Sequence, residues 1–336
     1  MSEDRRVLIA CLAGSFLVYH TAKKIWSYTR DSTDKWIPVG KIKSLNIYPI
    51  KSCGPQNLFT FKCTPLGAVF RDLEDRAFLL VNGETGKFYT ARQHPKLVKV
   101  ECEIVDENVR IRFPHEVEFN LKDVLNTGKV IRATLFDDLK QDGFDCGDLV
   151  AKAFSEYLGE PNVRLIYHKP GMYTERSVVP ESSWWNNPVP KRKDDSRFND
   201  LAPFMITTEA SLASLNNRLE NKVTTKRFRP SILIDGPTEW DEDKWAELKI
   251  GDVRLECFAP CTRCVLTTVD PDLGIMNRDV QPLKTLREFR LVPEGNMRDA
   301  HKESPVFGVY AGLKDNFEGY IHAGQTVYAR YKQSAF

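Results

Sequence analysis

The sequence predicts a β-rich α+β body built around a barrel, and three observations predict it. Short apolar runs, many rich in β-branched and aromatic residues, recur along the chain and are punctuated by Gly, Pro, Asn and Asp. Helical periodicity is confined to a few separate stretches. Regular strand–helix–strand alternation, which would build a parallel sheet, is absent. Composition agrees. Of 336 residues, 28% are charged and 42% apolar, ordinary for a folded body long enough for one large domain or two smaller ones.

The N-terminus stands apart. Val7 to Tyr19 is almost wholly apolar, with Arg5 and Arg6 before it and Lys23 and Lys24 after it. A short apolar run between basic flanks reads as an uncleaved membrane anchor. A full span needs roughly 20 residues, and reading on to Trp26 takes in His20 and two lysines that must snorkel. A cleaved secretory signal and a buried core helix are the competing readings, and no small-x-small cleavage site is evident. Asp31 to Lys35 reads as a polar linker, so residues 1–36 are assigned to anchor and linker.

The body opens with a strand in Lys41–Ile50, where Ile42, Leu45, Ile47 and Tyr48 precede a Pro turn. Further strands are expected over Ala77–Val81, Val98–Val105, Val109–Phe113, Val130–Leu135 and Val163–Tyr167. Asn82-Gly83 and Asp106-Glu107-Asn108 supply turn chemistry between them. A helix is expected over Asp148–Leu158, with Val150, Ala153, Phe154 and Leu158 on one face and Gly159 as its stop. These elements make an N-terminal portion, residues 37–168.

Residues 169–203 form a long irregular connection with five prolines, Trp184-Trp185 and the basic run Lys191-Arg192-Lys193. The C-terminal portion, residues 204–336, starts with a helix over Thr208–Leu219 capped by Thr208. Strands are expected over Ser231–Asp235, Ala246–Ile250, Val253–Phe258 and Cys264–Val269. Pro282–Phe289 reads as a helix, and Val306–Ala311 and Gln325–Tyr331 as closing strands.

Several function classes are excluded early. A net charge of only +2 argues against bulk nucleic-acid binding, and no nucleic-acid partner is expected. No Gly-x-Gly-x-x-Gly fingerprint for a dinucleotide is present. Eight cysteines spread over the chain fit a reducing compartment rather than a disulfide scaffold.

Cys264 is the most informative residue. Cys257, Cys261 and Cys264 cluster, with Thr262 and Arg263 between the last two. A zinc site needs a fourth ligand, and none lies nearby in sequence. A redox Cys-x-x-Cys prefers a helix start, whereas Val265–Val269 reads as a strand. The spacing of Cys257, Cys261 and Cys264 also matches radical enzymes that hold a [4Fe–4S] cluster and S-adenosylmethionine, though their repeated βα barrel is missing. Three packed thiols form a further reading. The last is a single thiolate completing a metal held mainly by an organic, anionic cofactor. That reading asks for anion-binding groups elsewhere. Lys51, Ser52, Arg76, Arg92, Arg227 and Arg229 supply them, most at or near strand ends, although spacing alone leaves their convergence open.

Taken together, the segments Tyr48–Cys53, Thr90–Gln93, Thr208–Leu212, Arg227–Pro230, Cys261–Pro271 and Ser304–Gly308 resemble the MOSC superfamily. The nearer resemblance is to its amidoxime-reducing components, and it covers nearly the whole chain, anchor included. It implies a β-barrel MOSC portion behind a β-rich MOSC-associated portion. It also implies a molybdenum cofactor, a pterin dithiolene with a phosphate tail. By resemblance, Cys264 ligates molybdenum, and Thr262 and Arg263 lie in the cofactor loop. Lys51, Ser52, Arg76 and Arg229 likewise match cofactor-binding positions. Three positions depart from the pattern: Leu201-Ala202 replace a Thr-Ser pair, and Ser231 replaces an Asn. Backbone N–H groups at Leu201 and Ala202, and the Ser231 hydroxyl, are the expected substitutes there.

The implied activity is reduction of N-hydroxylated compounds such as amidoximes and hydroxylamines. NADH would supply electrons through cytochrome b5 reductase and cytochrome b5. The anchor would hold the enzyme on the outer mitochondrial membrane, facing the cytosol. A cofactor carrier or sulfur-transfer module, and the [4Fe–4S] radical enzyme, are the rival functions.

Overall fold

The structure, a computed structural model, describes residues 35–179, 190 and 192–336. The apolar run Val7–Tyr19, the linker through Asp34, Trp184-Trp185 and Lys191 lie outside the described residues. Among the described residues, no helix is long and apolar enough to cross a membrane.

Val39, Ile42, Leu45 and Ile47 are the buried positions of the first strand, Ile37–Ile47. Their spacing is not strictly two because the register shifts between Pro38 and Gly40 and again between Ile42 and Ser44. Each bulge turns the strand so that it can pair on both sides. One edge meets Ile232–Asp235, and the other meets Thr326–Tyr331 and then Gln56–Leu58, so that Lys41 and Leu45 are each paired on both sides. Gly40 is needed at this crossing: a Cβ there would lie 2.2 Å from the Asp235 carbonyl oxygen.

This strand closes a barrel. The order runs Ile232–Asp235, Phe204–Thr208, Val306–Leu313, Val253–Thr262, Trp245–Ile250, Thr326–Tyr331 and Ile37–Ile47, which pairs back onto Ile232–Asp235. Only the pairing of Phe204–Thr208 with Ile232–Asp235 is parallel, and the helix Glu209–Asn216 lies in the connection between them. Inside sit Ile206, Leu248, Leu255, Cys257, Phe258, Val309 and Ala329, all buried in one continuous core.

The N-terminal portion supplies two sheets of its own and three strands, Thr60–Thr64, Gly67–Phe70 and Leu73–Glu74, of a third. Phe78–Asn82, Lys140–Asp145 and Val163–Tyr167 join Val130–Thr134 in a four-stranded antiparallel sheet. The expected helix is present at Asp148–Leu158, and Gly159 ends it in the left-handed conformation. Glu101–Val105, Asn108–Arg112 and Glu116–Asn120 form a meander. Its first turn is the expected one: Asp106 (φ 49°) and Glu107 (φ 64°) both take the left-handed conformation of a two-residue hairpin.

The element boundaries depart from expectation in three instructive places. Val98 lies in a 3-10 turn, Pro95–Lys99, so that strand starts only at Glu101. The barrel strand from Val253 continues through Ala259, Pro260 and Cys261 to Thr262, with register shifts that accommodate the proline. The strand expected at Cys264–Val269 is instead a 3-10 turn, Val265–Thr268. Hydroxyls decide this last case. Thr267 Oγ1 donates to the Cys264 carbonyl at 3.0 Å and Thr268 Oγ1 to that of Val265 at 2.8 Å. These bonds curl a β-branched run that would otherwise extend.

The chain ends are interleaved between the two portions. Ile37–Ile47 belongs to the barrel, and Gly319–His322 pairs with Thr60–Thr64. One hydrophobic cluster therefore runs from Val39 through Phe78 and Phe154 to Ala329.

Candidate active site

Turns at strand ends of both portions open onto one cavity of about 380 Å³. Lys51, Ser52, Arg76, Leu201, Ala202, Arg229, Ser231, Thr262, Arg263 and Cys264 all line it, and so do Arg92 and Arg227. Chain separations of up to about two hundred residues are bridged by the closure of the barrel.

Local backbone strain marks the same residues. Ser52 (φ 70°), Arg76 (φ 50°) and Arg229 (φ 55°) occupy the left-handed region, which non-glycine residues avoid. The fold holds them there through backbone bonds: Arg76 N donates to Tyr48 O at 2.8 Å and Arg229 N to Lys226 O at 3.3 Å. Both guanidinium groups lie over the buried Tyr48 ring, at 4.4 Å and 4.2 Å from its centroid.

The cations differ in what they have left to offer. Arg263 gives Nε and Nη2 to the Phe307 carbonyl, at 2.9 and 2.6 Å, and Nη1 to that of Phe228 at 2.9 Å. It ties together the stacked rings of Phe228 and Phe307, so its first role is to position the loop. Arg227 is held by Asp270 at 2.8 Å and by the Thr268 carbonyl at 3.1 Å. Arg76 is paired with Asp75, and Arg229 donates one bond, to Cys53 O at 2.6 Å. Its remaining N–H groups take no acceptor among the described residues. Arg92 is exposed and its guanidinium takes none either, lying 5.6 Å from the Phe136 centroid.

Lys51 is buried, donates to the Phe198 carbonyl at 2.7 Å and pairs with Asp200. Burial pulls its ammonium down to about 8, against the opposing pull of Asp200. The wall carrying Leu201 and Ala202 is clamped from behind. Arg176, buried outside the cavity, donates to the carbonyls of Arg197 at 2.7 Å, Asn199, and Asp200 at 3.2 Å. Ser231 is buried, and its N–H goes to Met205 O at 2.8 Å.

The three clustered cysteines do not converge. Cys257 belongs to the main core and Cys261 to a second cluster with Phe228 and Phe307. Burial raises both thiols, Cys257 to about 12. Cys264, just past the end of the barrel strand, is the exposed cysteine among those described. Among the described residues, no three His, Cys, Asp or Glu side chains group so as to hold a metal unaided.

This arrangement presents an accessible thiol at the edge of a pocket lined by cations. It suits a soft metal whose remaining ligands come from an anionic organic group. Asp200, Phe136 and Tyr310 also line the cavity and were not marked by the sequence. Asp200 adjoins Leu201 and is the acid that a buried Lys51 requires, a signal that was available. Phe136 lies in the 3-10 turn Phe136–Asp138, and no local pattern pointed to it.

Residues 39–161 match the model of the MOSC N-terminal beta barrel domain, and residues 193–328 that of the MOSC domain. The chain is 36% identical over 290 residues to mitochondrial amidoxime-reducing component 1 of Mus musculus, covering 86% of this chain and 82% of that one. The Homo sapiens counterpart is also 36% identical over 290 residues, with 86% and 83% covered. That of Danio rerio is 32% identical over 329 residues, with 97% and 95% covered.

Proposed function

From the premise that this chain belongs to the MOSC family, and to the branch of the amidoxime-reducing components, we propose that it is a molybdenum-cofactor-dependent reductase of N-hydroxylated compounds. The observation that carries the reading is Cys264, an exposed thiol at the edge of a cavity lined by Lys51, Arg76, Arg92 and Arg229.

The donor set fits the cofactor. Arg229 and Arg92 have guanidinium N–H groups available for a phosphate or a pterin edge, and Arg76 adds charge beside them. Ser52 offers a hydroxyl, Ser231 lies on the wall, and Leu201 and Ala202 bring backbone in place of side-chain hydroxyls. Thr262 and Arg263 hold the loop that presents Cys264, which would be the protein's ligand to the metal. When bound, the cofactor supplies a soft, sulfur-ligated molybdenum that cycles by two electrons and accepts an oxygen atom.

The net reaction consumes two electrons and two protons: an N–OH group becomes N–H, and the oxygen leaves as water. No dinucleotide fingerprint is present in the sequence, so a separate electron donor is expected. By family resemblance it would be NADH through cytochrome b5 reductase and cytochrome b5. The apolar run Val7–Tyr19 would anchor the enzyme beside these donors, on the outer mitochondrial membrane with its body facing the cytosol.

Metal analysis of the purified chain is the direct test, and about one molybdenum per chain is expected. About four irons would favour a cluster on Cys257, Cys261 and Cys264. Cys264→Ser should abolish benzamidoxime reduction while Cys261→Ser keeps most of it, because a hydroxyl is a harder and far less acidic ligand. Bound cofactor without turnover in the wild-type chain would point to a carrier.

A further inference from the structure

The loop that follows Cys264 is built to present apolar side chains to the outside. The turn Val265–Thr268 leads into a tight return in which Asp270 N donates to Ile275 O at 2.8 Å and Gly274 N to Asp270 O at 2.8 Å. Leu273 and Ile275, at the tip, are 63% and 58% exposed, and Val265 and Val280 are exposed as well. The loop has a fixed seat. A Cβ on Gly274 would lie 3.0 Å from Lys96 Cα and 2.9 Å from Lys99 Cδ. Leu273 and Ile275 therefore stand beside the basic turn Pro95–Lys99. The acids of the loop are mostly engaged: Asp270 pairs with Arg227 at 2.8 Å and Asp272 with Lys226 at 3.3 Å. Lys96 and Lys99 form no ion pair among the described residues, and Arg92, on the same chain segment, lines the Cys264 cavity.

An apolar tip flanked on one side by Lys96, which lies over the Tyr157 ring at 4.9 Å, and by Lys99, neither of them in an ion pair among the described residues, stands on the loop that starts at the exposed thiol. We propose that it docks an electron-carrier protein with a negatively charged face. This rests on the reductase reading above. A one-electron carrier must come close to the cavity, and this loop is the part of the surface that continues from Cys264. The cations would steer the acidic partner, and Leu273 and Ile275 would form the apolar centre of a contact with a charged rim. Each encounter delivers one electron and leaves the carrier oxidised. Two encounters and two protons from water complete the cleavage of one N–O bond, releasing one water.

The test uses the full chain loaded with molybdenum cofactor and two electron sources, reduced methyl viologen and cytochrome b5 kept reduced by its NADH reductase. Two double variants are made, Lys96→Glu with Lys99→Glu and Leu273→Ser with Ile275→Ser. None of these residues lines the cavity. With cytochrome below saturation at low salt, the charge-reversed chain should turn over about tenfold more slowly than wild type. The wild-type cytochrome rate should fall with added salt and the variant's should not. The serine variant should lose rate at all salt concentrations. Viologen-driven turnover should stay within about twofold in both, since only the encounter is altered. An unchanged cytochrome rate and salt slope overturns the proposal. Equal loss with both electron sources assigns these residues to the fold and also overturns it. Loss of binding to anionic lipid vesicles with the cytochrome rate intact assigns the face to a membrane. Absence of viologen-driven turnover in the wild type would instead overturn the reductase reading itself.

Discussion

At the scale of single residues, the site combines charge with backbone strain. Arg229 has φ 55° and lies over the Tyr48 ring and against the Cys53 carbonyl. Replacing it separates the two properties. Arg229→Ala and Arg229→Gly both remove the guanidinium, and both should release cofactor on gel filtration, for a loss of roughly 1.5–3 kcal/mol per charge-assisted bond. Glycine should nonetheless melt above alanine by the equivalent of about 1 kcal/mol, because it takes the left-handed conformation without strain. Equal melting temperatures would show that the backbone there relaxes.

At the scale of elements, the cavity wall depends on groups that never face it. Arg176→Met leaves three carbonyls, those of Arg197, Asn199 and Asp200, without their buried donor. A loss of about 3 kcal/mol in denaturant unfolding is expected, with weaker cofactor retention although Arg176 lies outside the cavity. Wild-type retention in a destabilised chain would mean that the 197–202 segment is held by other contacts. A second buried device lies beneath the helix Glu209–Asn216. Glu242 accepts from Ser211 Oγ at 2.8 Å and from Thr208 Oγ1 at 3.2 Å. Burial, with Asp243 beside it, raises its carboxyl to about 7. A raised carboxyl binds its proton more tightly when folded than when unfolded. Its contribution therefore favours the fold at low pH and is lost as pH rises from the ordinary carboxylate value to about 7. Glu242→Gln should remove this dependence and gain about 2 kcal/mol over wild type at pH 8 relative to pH 5, read by urea unfolding. A parallel offset at both pH values would sink the idea.

At the scale of the whole molecule, the ends of the chain decide what can be removed. Deleting residues 1–35 should give a chain that leaves the membrane fraction, keeps cofactor and turns over with an artificial donor. The described residues that line the cavity run from Lys51 to Tyr310, and the polar stretch Asp31–Lys35 separates the apolar run from the body. Extending the deletion through Ile47 removes a strand that pairs with Ile232–Asp235 and Thr326–Tyr331, and this chain should not fold. Molybdenum content and solubility of the two truncations check both statements. Loss of cofactor in the shorter deletion would place Val7–Tyr19 in the folded body.

Much of this was legible in the sequence, for local reasons. Alternation marked the strands, Thr208 and Gly159 marked helix ends, and Asp106-Glu107 marked a hairpin, because each depends on neighbours within a few residues. Cys264 and the motif cations could be named because their chemistry is carried by residue type. Tertiary structure alone decided the rest. It gave Ile37–Ile47 to the barrel, curled Val265–Thr268, and buried Cys257 and Cys261 while leaving Cys264 exposed. It also divided the arginines, tying Arg263 to carbonyls and leaving Arg92 without an ion pair among the described residues. The physical reason is that pairing, burial and the partners of a charge are set by groups brought together from distant parts of the chain, and a linear spacing holds no record of them.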